Sequence, residues 1–374
     1  MSEARAWAEV DLDAVAHNVT VLRALVAPAG VVAVVKAEGY GHGAAPVAAA
    51  ALDAGAVAIA VAISTEGVEL RDAGIDARLL VLSEPRPDEL AACVTFGLEP
   101  AVYTRDGIAG AAKVAAEHGR TLPVHLKVDT GMHRVGARPE AAVDLADRIA
   151  AESSLELASV WTHLAVADEP DDPYTAGQLE RFDAVLAELT AAGYHPPLVH
   201  AANSAGAMCH PAARRDLVRC GIAIYGIPPA PALAGLADLR PALSLKAVVS
   251  MVKVVAAAER LSYGLRHRFD ADTVVATIPI GYADGVPRRL HAHGGEVLIG
   301  GRRRPIVGAV TMDQLMVACG SPGEPDLVAI GDEVVLLGQQ GGDCITADEW
   351  AEKLDTISYE IVCGIGPRVP RIYI

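Results

Sequence analysis

The sequence predicts an N-terminal (β/α)8, TIM-like barrel followed by a mostly antiparallel β domain. Up to about residue 230, short runs of valine, isoleucine, leucine and alanine alternate with longer helix-like segments. Near-continuous apolar strands separated by helices are typical of a parallel sheet covered on both faces. From about residue 240 the helical period fades, and glycine and proline turns separate the strand-like runs. The length of 374 residues fits a barrel and one further domain.

The barrel prediction rests on eight apolar runs with helix-like segments between them, such as 141–151 and 178–192. A doubly wound open sheet is the competing fold, but no G-x-G-x-x-G motif follows the first run. Several helix-like segments end in a glycine suited to a left-handed helix C-terminus, namely Gly55, Gly74, Gly119 and Gly193. The runs are 31–35, 56–63, 78–82, 98–102, 122–128, 157–161, 198–199 and 217–224.

The remainder of the chain predicts a β domain with one short helix near Ala347–Leu354. We expect residues 1–10 to form a strand segment that packs on this domain, residues 11–238 to form the barrel, and residues 239–374 to form the β domain. The strand-like runs of the β domain are 243–255, 273–279, 296–299, 306–310, 315–318 and 333–337.

Composition excludes several classes of protein. The formal net charge of −16 argues against non-specific nucleic-acid binding, and the short basic run 302–304 predicts a solvated turn. Six scattered cysteines without a C-x-x-C pair indicate free thiols in a reducing compartment. Polar residues and a proline interrupt the most apolar stretch, 44–63, so we expect no membrane span. These features predict a soluble, cytoplasmic protein.

Polar side chains follow several of the apolar runs, where an active site lies in barrels of this kind. Lys36 directly follows the first run, and it is either a strand-end lysine that reaches solvent or a lysine that forms a Schiff base. Burial disfavours the charged form of a lysine, which makes it nucleophilic. The hydroxyl of Tyr40, in the glycine-rich loop after Lys36, is a candidate ligand for an anion.

Phosphate usually binds these barrels at the loops after strands seven and eight. Asn203 and Ser204 follow the seventh run, and Gly221 and Ile222 lie in the eighth. Their backbone amides and hydroxyls suit a phosphate, although Asn203 and Ser204 alone are equally typical of a helix N-cap.

Nine motifs occur along the chain, in this order: VVKAEGYGHGA, KVDTGMHRVG, the TH of WTHLA, HAANSAG, RCGIAIYG, LSYG, GYADG, TMDQLM and SYEIVCGIGPRVPR. This is the order found in the alanine racemase family, which the sequence resembles over nearly its whole length. One such motif is weak support, whereas nine in order across two domains make a specific match. The resemblance implies an isomerase that uses pyridoxal 5′-phosphate (PLP) to interconvert L- and D-alanine and supplies D-alanine for peptidoglycan.

The resemblance implies two opposing bases. Lys36 would hold PLP and act on one face of the substrate α-carbon, and Tyr263 of LSYG would act on the other face. In the family this tyrosine comes from the partner subunit, so we expect a homodimer with shared active sites. A tyrosine acts as a base only after it loses its phenolic proton, so the site must stabilise the phenolate. Without the other motifs, Tyr263 would be interpreted as a buried aromatic residue in a turn.

The resemblance also implies that Arg219 faces the pyridine nitrogen of PLP, with His163 in support. Arginine keeps its proton, so the ring nitrogen accepts a hydrogen bond and stays unprotonated. An unprotonated ring withdraws electrons less strongly, which should suppress transamination. Taken alone, His163 is equally typical of a packed core histidine.

The substrate carboxylate would be bound by Arg134 and by the backbone N–H of Met312, with Asp313 steadying that loop. Arg134 would also contact the phenolic oxygen of PLP. Lys127 matches a position that is carbamylated in some members of the family, and a carbamate there would pair with Arg134.

Tyr359 would bind the phosphate and, with Tyr282, narrow the entrance so that alanine is favoured over larger amino acids. The chain departs from the commoner family pattern at positions that affect substrate breadth and turnover rather than reaction type, namely Glu38, Gly39, Thr311 and Val286.

Three other functions compete with this interpretation. A decarboxylase or a racemase of another amino acid would share the barrel and its lysine, but Arg134 and Met312 would hold the group that a decarboxylase must release. A non-catalytic PLP carrier would have no need of Tyr263. A metal-dependent hydrolase would use His42, His163 and His200, but these lack an H-x-H pair or a nearby carboxylate pattern, so we expect no metal.

Overall fold

The computed structural model describes residues 4–324 and 328–374, which divide into two units. The barrel unit comprises residues 13–240, and the β unit combines residues 4–12 with residues 241–324 and 328–374. Strand β1 (Ala6–Val10) belongs to the β unit because it pairs antiparallel with residues 243–247 and parallel with residues 371–373.

The barrel unit is a closed barrel of eight parallel strands, which confirms the predicted fold class. The last strand pairs with the first, with Arg219 opposite Val32, and this pairing closes the barrel. Nearly all strand residues are buried, as expected for apolar strands covered by helices. The strands are β2 (Gly30–Val34), β3 (Ala58–Val61), β4 (Leu79–Val81), β5 (Glu99–Val102), β6 (Leu122–Lys127), β7 (Leu155–Trp161), β8 (Val199–His200) and β9 (Leu217–Cys220).

Helices separate these strands, and the four glycines predicted at helix C-termini all have positive φ. Each lets the chain reverse toward the next strand without a steric clash at Cβ. The helices are α1 (Leu12–Val26), α2 (Lys36–Tyr40), α3 (Ala44–Asp53), α4 (Ser64–Asp72), α5 (Leu90–Phe96), α6 (Arg105–Glu117), α7 (Ala142–Ala151), α8 (Tyr174–Ala191) and α9 (Ser204–Cys209).

The helices and strands of the β unit that follow β1 are β10 (Leu243–Val248), β11 (Met251–Val255), β12 (Arg260–Leu261), β13 (His267–Arg268), β14 (Thr273–Ile278), β15 (Glu296–Ile299), β16 (Arg302–Pro305), β17 (Leu315–Ala318), β18 (Glu333–Gln340), β19 (Asp343–Ile345), α10 (Ala347–Leu354), α11 (Ser358–Cys363) and β20 (Arg371–Tyr373). Within the described residues, the strands of this unit form three sheets. The largest has the order β16-β15-β18-β10-β1-β20, with β19 paired to β18. A second sheet has the order β11-β14-β17, and a third pairs β12 with β13.

Two strand predictions for the β unit were wrong. The run 243–255 is two strands in different sheets, because β10 ends at Val248 and Ser250 hydrogen-bonds to Thr277 of β14. The run 306–310 is not a strand but makes a single bridge, Ile306 to Val317, and Gly308 adopts a positive φ of 69°. An apolar run alone does not reveal where the backbone turns from one sheet to the next.

The prediction of a solvated turn for the basic run 302–304 was also wrong. The run lies in β16, which pairs with β15 across a turn formed by Gly300 and Gly301, both with positive φ. Arg303 is bound by three carboxylates of the β unit, from Glu296, Asp343 and Glu349, at 2.9–3.1 Å.

Three further observations bear on the protein class. All six cysteines are free thiols. Within residues 4–324 and 328–374, no helix combines the length and hydropathy needed to cross a membrane. Across the same described residues, no group of three histidine, cysteine or acidic side chains is placed to hold a metal ion.

Candidate active site

Lys36 lies at the carboxyl end of β2, at the start of a left-handed turn. The four residues that follow it, Ala37 to Tyr40, have φ values of 52–59°. Three of them carry a Cβ and are strained in this conformation. Glu66 of α4 holds the turn in place, because its carboxylate accepts hydrogen bonds from the backbone of Ala37 at 2.7 Å and of Ala62 at 2.7 Å. The strained turn therefore fixes Lys36 at the barrel rim.

The role of Glu66 in holding this turn was not predicted from the sequence. Glu66 lies three residues after Ile63, the N-cap of α4, which is the acidic position of a capping box. That spacing was visible in the sequence, but the second contact to Ala37 depends on β2 and β3 being neighbours in the barrel.

Tyr40 is buried at the end of the turn against Tyr225, with 5.0 Å between ring centroids. The Tyr225 hydroxyl donates to the carbonyl of Val34 at 3.0 Å, and its ring also contacts His42. A Cβ on Gly221 would lie 2.4 Å from the Tyr40 hydroxyl. Only glycine at position 221 allows the tyrosine hydroxyl to approach this backbone.

The predicted phosphate ligands lie together after β8 and β9. Asn203 caps α9, since its side chain accepts from the backbone N–H of Gly206 at 2.9 Å. The Ser204 hydroxyl oxygen accepts from the backbone of Gly221 at 3.0 Å and of Ala223 at 3.4 Å, which leaves its own proton to donate. Ile222 follows Gly221 at the start of a short 3-10 helix.

Arg219 is the most enclosed cation of the site, with an exposed fraction of 3%. Its guanidinium donates to the carbonyls of Thr162 and Ala201 at 2.8 and 3.0 Å, and to a ring nitrogen of His163 at 3.2 Å and of His200 at 2.7 Å. Burial lowers the pKa of Arg219 to about 9, which still leaves it charged at neutral pH. The side chain is therefore a fixed donor.

His163 accepts from this guanidinium, so its Nδ1 carries a lone pair. Burial, followed by the nearby charges of Arg219 and Arg134, holds the pKa of His163 well below its ordinary value. The imidazole is neutral at physiological pH.

Trp161 and His200 pack against the buried cations of the site, and neither role was predicted from the sequence. The indole ring stacks on the His200 ring at 5.5 Å with an interplanar angle of 12°. It also lies 4.6 Å from the Arg219 guanidinium and 4.5 Å from Lys127 Nζ. The aromatic face stabilises both cations by a cation–π interaction.

Lys127, at the end of β6, has an exposed fraction of only 4%. Burial, reinforced by the charges of Arg219, Arg134 and Lys36 and opposed by Asp129, lowers the pKa of Lys127 to about 7. A substantial fraction of this amine is therefore neutral near pH 7, which makes it nucleophilic.

Arg134 lies on an exposed loop that Asp129 organises. The Asp129 carboxylate accepts from three successive backbone amides, those of Gly131, Met132 and His133, at 2.9–3.0 Å. The structure thus gathers the predicted barrel residues at one rim: Lys36, Tyr40, Lys127, Arg134, His163, Asn203, Ser204, Arg219, Gly221 and Ile222.

The remaining predicted site residues belong to the β unit. Tyr263 is 74% exposed and follows Ser262, whose hydroxyl donates to the carbonyl of Ala309 at 2.8 Å. Ser262 has a positive φ of 62°, so the backbone is strained directly before the tyrosine.

Tyr282 and Met312 lie on adjacent loops of the β unit and are 42% and 52% exposed. The backbone of Tyr282 and Ala283 donates to the carbonyls of Thr311 and Met312 at 3.0 Å. Asp313 forms an ion pair of 2.8 Å with Arg368, which steadies the same loop. Tyr359 is the second residue of α11.

Comparisons with known proteins settle the family. The family model for the alanine racemase N-terminal domain matches residues 10–229, and the model for the C-terminal domain matches residues 242–373. The chain belongs to the alanine racemase family. An alanine racemase of Symbiobacterium thermophilum is 52% identical over 370 residues, which cover 98% of this chain and 96% of the relative.

Solved structures agree with this family assignment. The crystal structure of an alanine racemase from Streptomyces lavendulae matches with a TM-score of 0.93 and 39% identity, covering 100% of this chain and 98% of that one. A histidine racemase from Leuconostoc mesenteroides matches with a TM-score of 0.90 and 31% identity, covering 100% and 99%. The architecture of the alanine racemase family therefore also occurs in a protein named for another amino acid.

Proposed function

We propose that this chain racemises alanine with PLP bound at the barrel rim and supplies D-alanine for peptidoglycan in the cytoplasm. Family membership supports the reaction, and the free cysteines suit a reducing compartment. The observation that carries the assignment of the site is the convergence of Lys36, Lys127, Arg134 and Arg219 at one rim. Their excess positive charge suits a cofactor phosphate and a substrate carboxylate.

The residues present fit PLP. Lys36 would attach the cofactor, the hydroxyls of Ser204 and Tyr40 and the turn at Gly221 would face its phosphate, and Arg219 would face the ring nitrogen. Asn203, Ile222 and Tyr359 complete the proposed phosphate contacts. When bound, PLP would withdraw electrons from the α-carbon and acidify its hydrogen.

The chain's own residues would then move the proton. Lys36 Nζ would remove or return it on one face, and the Tyr263 hydroxyl would do so on the other. Arg219 remains a cationic donor, and His163 is neutral and supports it through the hydrogen bond at Nδ1. Arg134 and the Met312 backbone would hold the carboxylate, with Asp313 fixing the Met312 loop.

We further propose that Lys127 is carbamylated. A carbamate forms when a neutral amine attacks the carbon of CO₂ and releases one proton to solvent, and the lowered pKa of Lys127 supplies the neutral amine. The product is an anion, which would replace repulsion between Lys127 and Arg134 by attraction.

The proposal requires a homodimer in which a second copy supplies Tyr263. Tyr263, Tyr282 and Met312 are exposed in the single chain, which supports this proposal. Large apolar or reactive side chains that are exposed in one subunit are expected to be buried by a partner in the active enzyme. Each active site would then combine the barrel rim of one subunit with the β unit of its partner.

Hybrid dimers test the shared site directly. Lys36→Ala and Tyr263→Phe subunits carrying different tags are co-expressed, and the mixed dimer is purified on both tags. If each active site is shared between subunits, one of the two active sites of the mixed dimer holds both native bases. The mixed dimer should then show about half of wild-type activity, although each parent dimer is inactive. An inactive hybrid dimer would place Lys36 and Tyr263 of the same chain in one site.

A racemase of another amino acid is the second candidate, since the histidine racemase shares the fold. Tyr282 and Tyr359 would narrow the entrance and favour alanine. Incubating the protein with a panel of L-amino acids, with and without PLP, distinguishes the two candidate functions. For an alanine racemase, D-alanine should form faster than any other D-amino acid, and it should form only when PLP is present. Faster racemisation of a larger amino acid would assign the same chemistry to a different substrate.

A further inference from the structure

A continuous row of hydrogen-bonded side chains crosses the barrel interior from Arg219 to Glu99. Five consecutive strands, β5 to β9, each contribute one member. The contacts are Arg219 Nη1 to His200 Nδ1 at 2.7 Å, His200 Nε2 to Ser159 Oγ at 2.9 Å, Ser159 Oγ to His125 Nδ1 at 2.6 Å, and His125 Nε2 to Glu99 Oε2 at 2.9 Å. We name these five side chains the barrel relay.

The donors at the Arg219 end fix the direction of the relay. Arginine only donates, so His200 Nδ1 must present a lone pair. Burial and the adjacent charge of Arg219 hold the pKa of His200 well below its ordinary value, so the ring is neutral. Its single proton therefore lies on Nε2 and is donated to Ser159 Oγ.

The direction continues to Glu99. Ser159 has one proton, and with His200 donating to its oxygen, that proton goes to His125 Nδ1. Burial lowers the pKa of His125 although Glu99 opposes the effect, so this ring is also neutral and donates from Nε2 to Glu99. A proton on His125 Nδ1 would oppose the Ser159 hydroxyl and leave that hydroxyl without an acceptor in the row.

The far end of the relay is an ion. Arg78 donates to the same Glu99 oxygen at 2.7 Å. Burial acts to raise the pKa of Glu99, but the hydrogen bonds from His125 and Arg78, together with the charge of Arg78, outweigh it, and the carboxyl pKa is lowered. Glu99 is thus an anion at neutral pH.

Glu99 therefore has a partner of opposite charge. Arg219, at the other end of the relay, forms no ion pair with a carboxylate among the described residues. A buried cation without a counter-charge is destabilised. The aligned dipoles of the relay present their negative end, the His200 Nδ1 lone pair, to Arg219. Hydrogen bonds in such a chain polarise and strengthen one another.

We propose that the barrel relay is a positioning device in which the Glu99 carboxylate, acting through His125, Ser159 and His200, holds the Arg219 guanidinium in one orientation as a donor. Glu99, His125, Ser159 and His200 are positioning residues and have no contact with substrate in this scheme. The inference rests on the proposed role of Arg219 toward the cofactor ring.

The proton order is tested in wild-type holoenzyme with ring-¹⁵N-labelled histidine. His125 and His200 should both show a protonated Nε2 and an unprotonated Nδ1 from about pH 6 to about pH 8. A protonated Nδ1 on either ring, or titration of either ring in that range, would overturn the relay. This readout does not depend on which amino acid the enzyme racemises, so it separates failure of the relay from failure of the proposed function.

The influence on Arg219 is tested with Glu99→Gln against Glu84→Gln. Glu84 is a partly buried carboxylate of the same unit that binds backbone amides of Tyr103 and Thr104 and lies outside the relay. Glu99→Gln should lower kcat about tenfold with KM for alanine within about twofold, and should shift the His200 Nδ1 resonance. Glu84→Gln should change neither.

Ser159→Ala interrupts the relay at its centre, and Thr175→Val is its matched control. Thr175 is a buried hydroxyl in the barrel unit that makes no hydrogen bond among the described residues. Ser159→Ala should reproduce the kcat loss and the His200 shift of Glu99→Gln, whereas Thr175→Val should retain wild-type values. If Ser159→Ala and Thr175→Val have equal effects on kcat and on the His200 resonance, the five side chains contribute only to packing of the core, and the proposal is refuted.

Discussion

The two groups of site residues differ in how far the single chain organises them. At the barrel rim, Arg219 and Lys127 are almost fully buried and held by hydrogen bonds or an aromatic face. In the β unit, Tyr263, Tyr282 and Met312 are 74%, 42% and 52% exposed. The barrel thus prepares its cations in advance, whereas the β unit presents side chains that suit a partner surface. This difference is what the proposed homodimer requires, since the exposed side chains of one subunit would complete the preorganised rim of the other.

The barrel rim and the Arg303 network of the β unit also differ in how their charges are balanced. At the barrel rim, mutual repulsion and burial lower the pKa of Lys127 to about 7. In the β unit, Arg303 is surrounded by carboxylates that raise its pKa. The rim keeps unbalanced charge available for ligands, while the Arg303 network balances its charge internally and contributes to the fold.

The largest expected effect is at the barrel rim, from Lys36→Ala. On the proposed mechanism, loss of the amine would remove both the attachment point for PLP and one base, so D-alanine formation should fall on the order of 10⁴-fold and the cofactor should not be retained. Racemisation assays and the absorbance of the purified protein measure the two effects. Lys113→Ala, on the exposed surface of α6, is the matched control and should behave as wild type. Normal turnover by Lys36→Ala would refute the assignment of Lys36.

Tyr263→Phe tests the exposed half. Removal of the hydroxyl should slow loss of the α-proton from one enantiomer on the order of 10³-fold, and from the other enantiomer much less. Exchange of the α-hydrogen with deuterated solvent, followed separately for L- and D-alanine, gives both rates. Tyr194→Phe removes a hydroxyl from the barrel unit and serves as the control. Equal losses for both enantiomers would contradict the two-base scheme.

Lys127 sharpens the electrostatic contrast through its pH dependence. The neutral amine increases as pH rises through about 7, so incorporation of ¹³C-bicarbonate as a carbamate should be greater at about pH 8 than at about pH 6. Carbon NMR of wild type and of Lys127→Met measures this, and the carbamate signal should be absent from the variant. A signal that persists in Lys127→Met would assign the carbamate to a different amine.

The same lowered pKa has a consequence for folding. The unfolded chain binds more protons at Lys127 between about pH 7 and about pH 10, so stability contributed by this group increases with pH across that window. The cost of burying the charged amine is fully present below about pH 7. In bicarbonate-free buffer, the unfolding free energy of wild type should therefore rise relative to Lys127→Met over this range. A constant difference would contradict the lowered pKa.

The smallest expected effect is in the β unit, from Arg303→Met. Partial exposure of the network limits its contribution, and we expect a loss of about 1 kcal/mol in unfolding free energy that shrinks at high salt. Thermal unfolding at two salt concentrations measures it, and kcat should not change. Arg268→Met removes an exposed charge from the same unit as the control. A large loss of kcat in Arg303→Met would mean that the network also shapes the site.

Sequence pattern was sufficient for the barrel but less so for the β unit. Eight apolar runs became eight strands because each strand is buried on both faces and must be continuously apolar. The helix Ala347–Leu354 was found at its observed bounds. In the β unit, run 306–310 was wrong and β16 was missed, because the basic side chains of 302–304 concealed a strand whose charge is balanced by carboxylates distant in sequence.

The sequence alone determined the fold class, the family resemblance and the position of Lys36 at the end of the first barrel strand, because these depend on local periodicity and on motif order. Only the tertiary structure decided that Glu66 holds the Lys36 turn, that Trp161 lies beneath two cations, and that one side chain from each of five strands forms the barrel relay. The longest single contact among them joins Trp161 and Arg219, 58 positions apart (219 − 161). These contacts depend on which strands lie side by side in the barrel, an arrangement that no local pattern encodes.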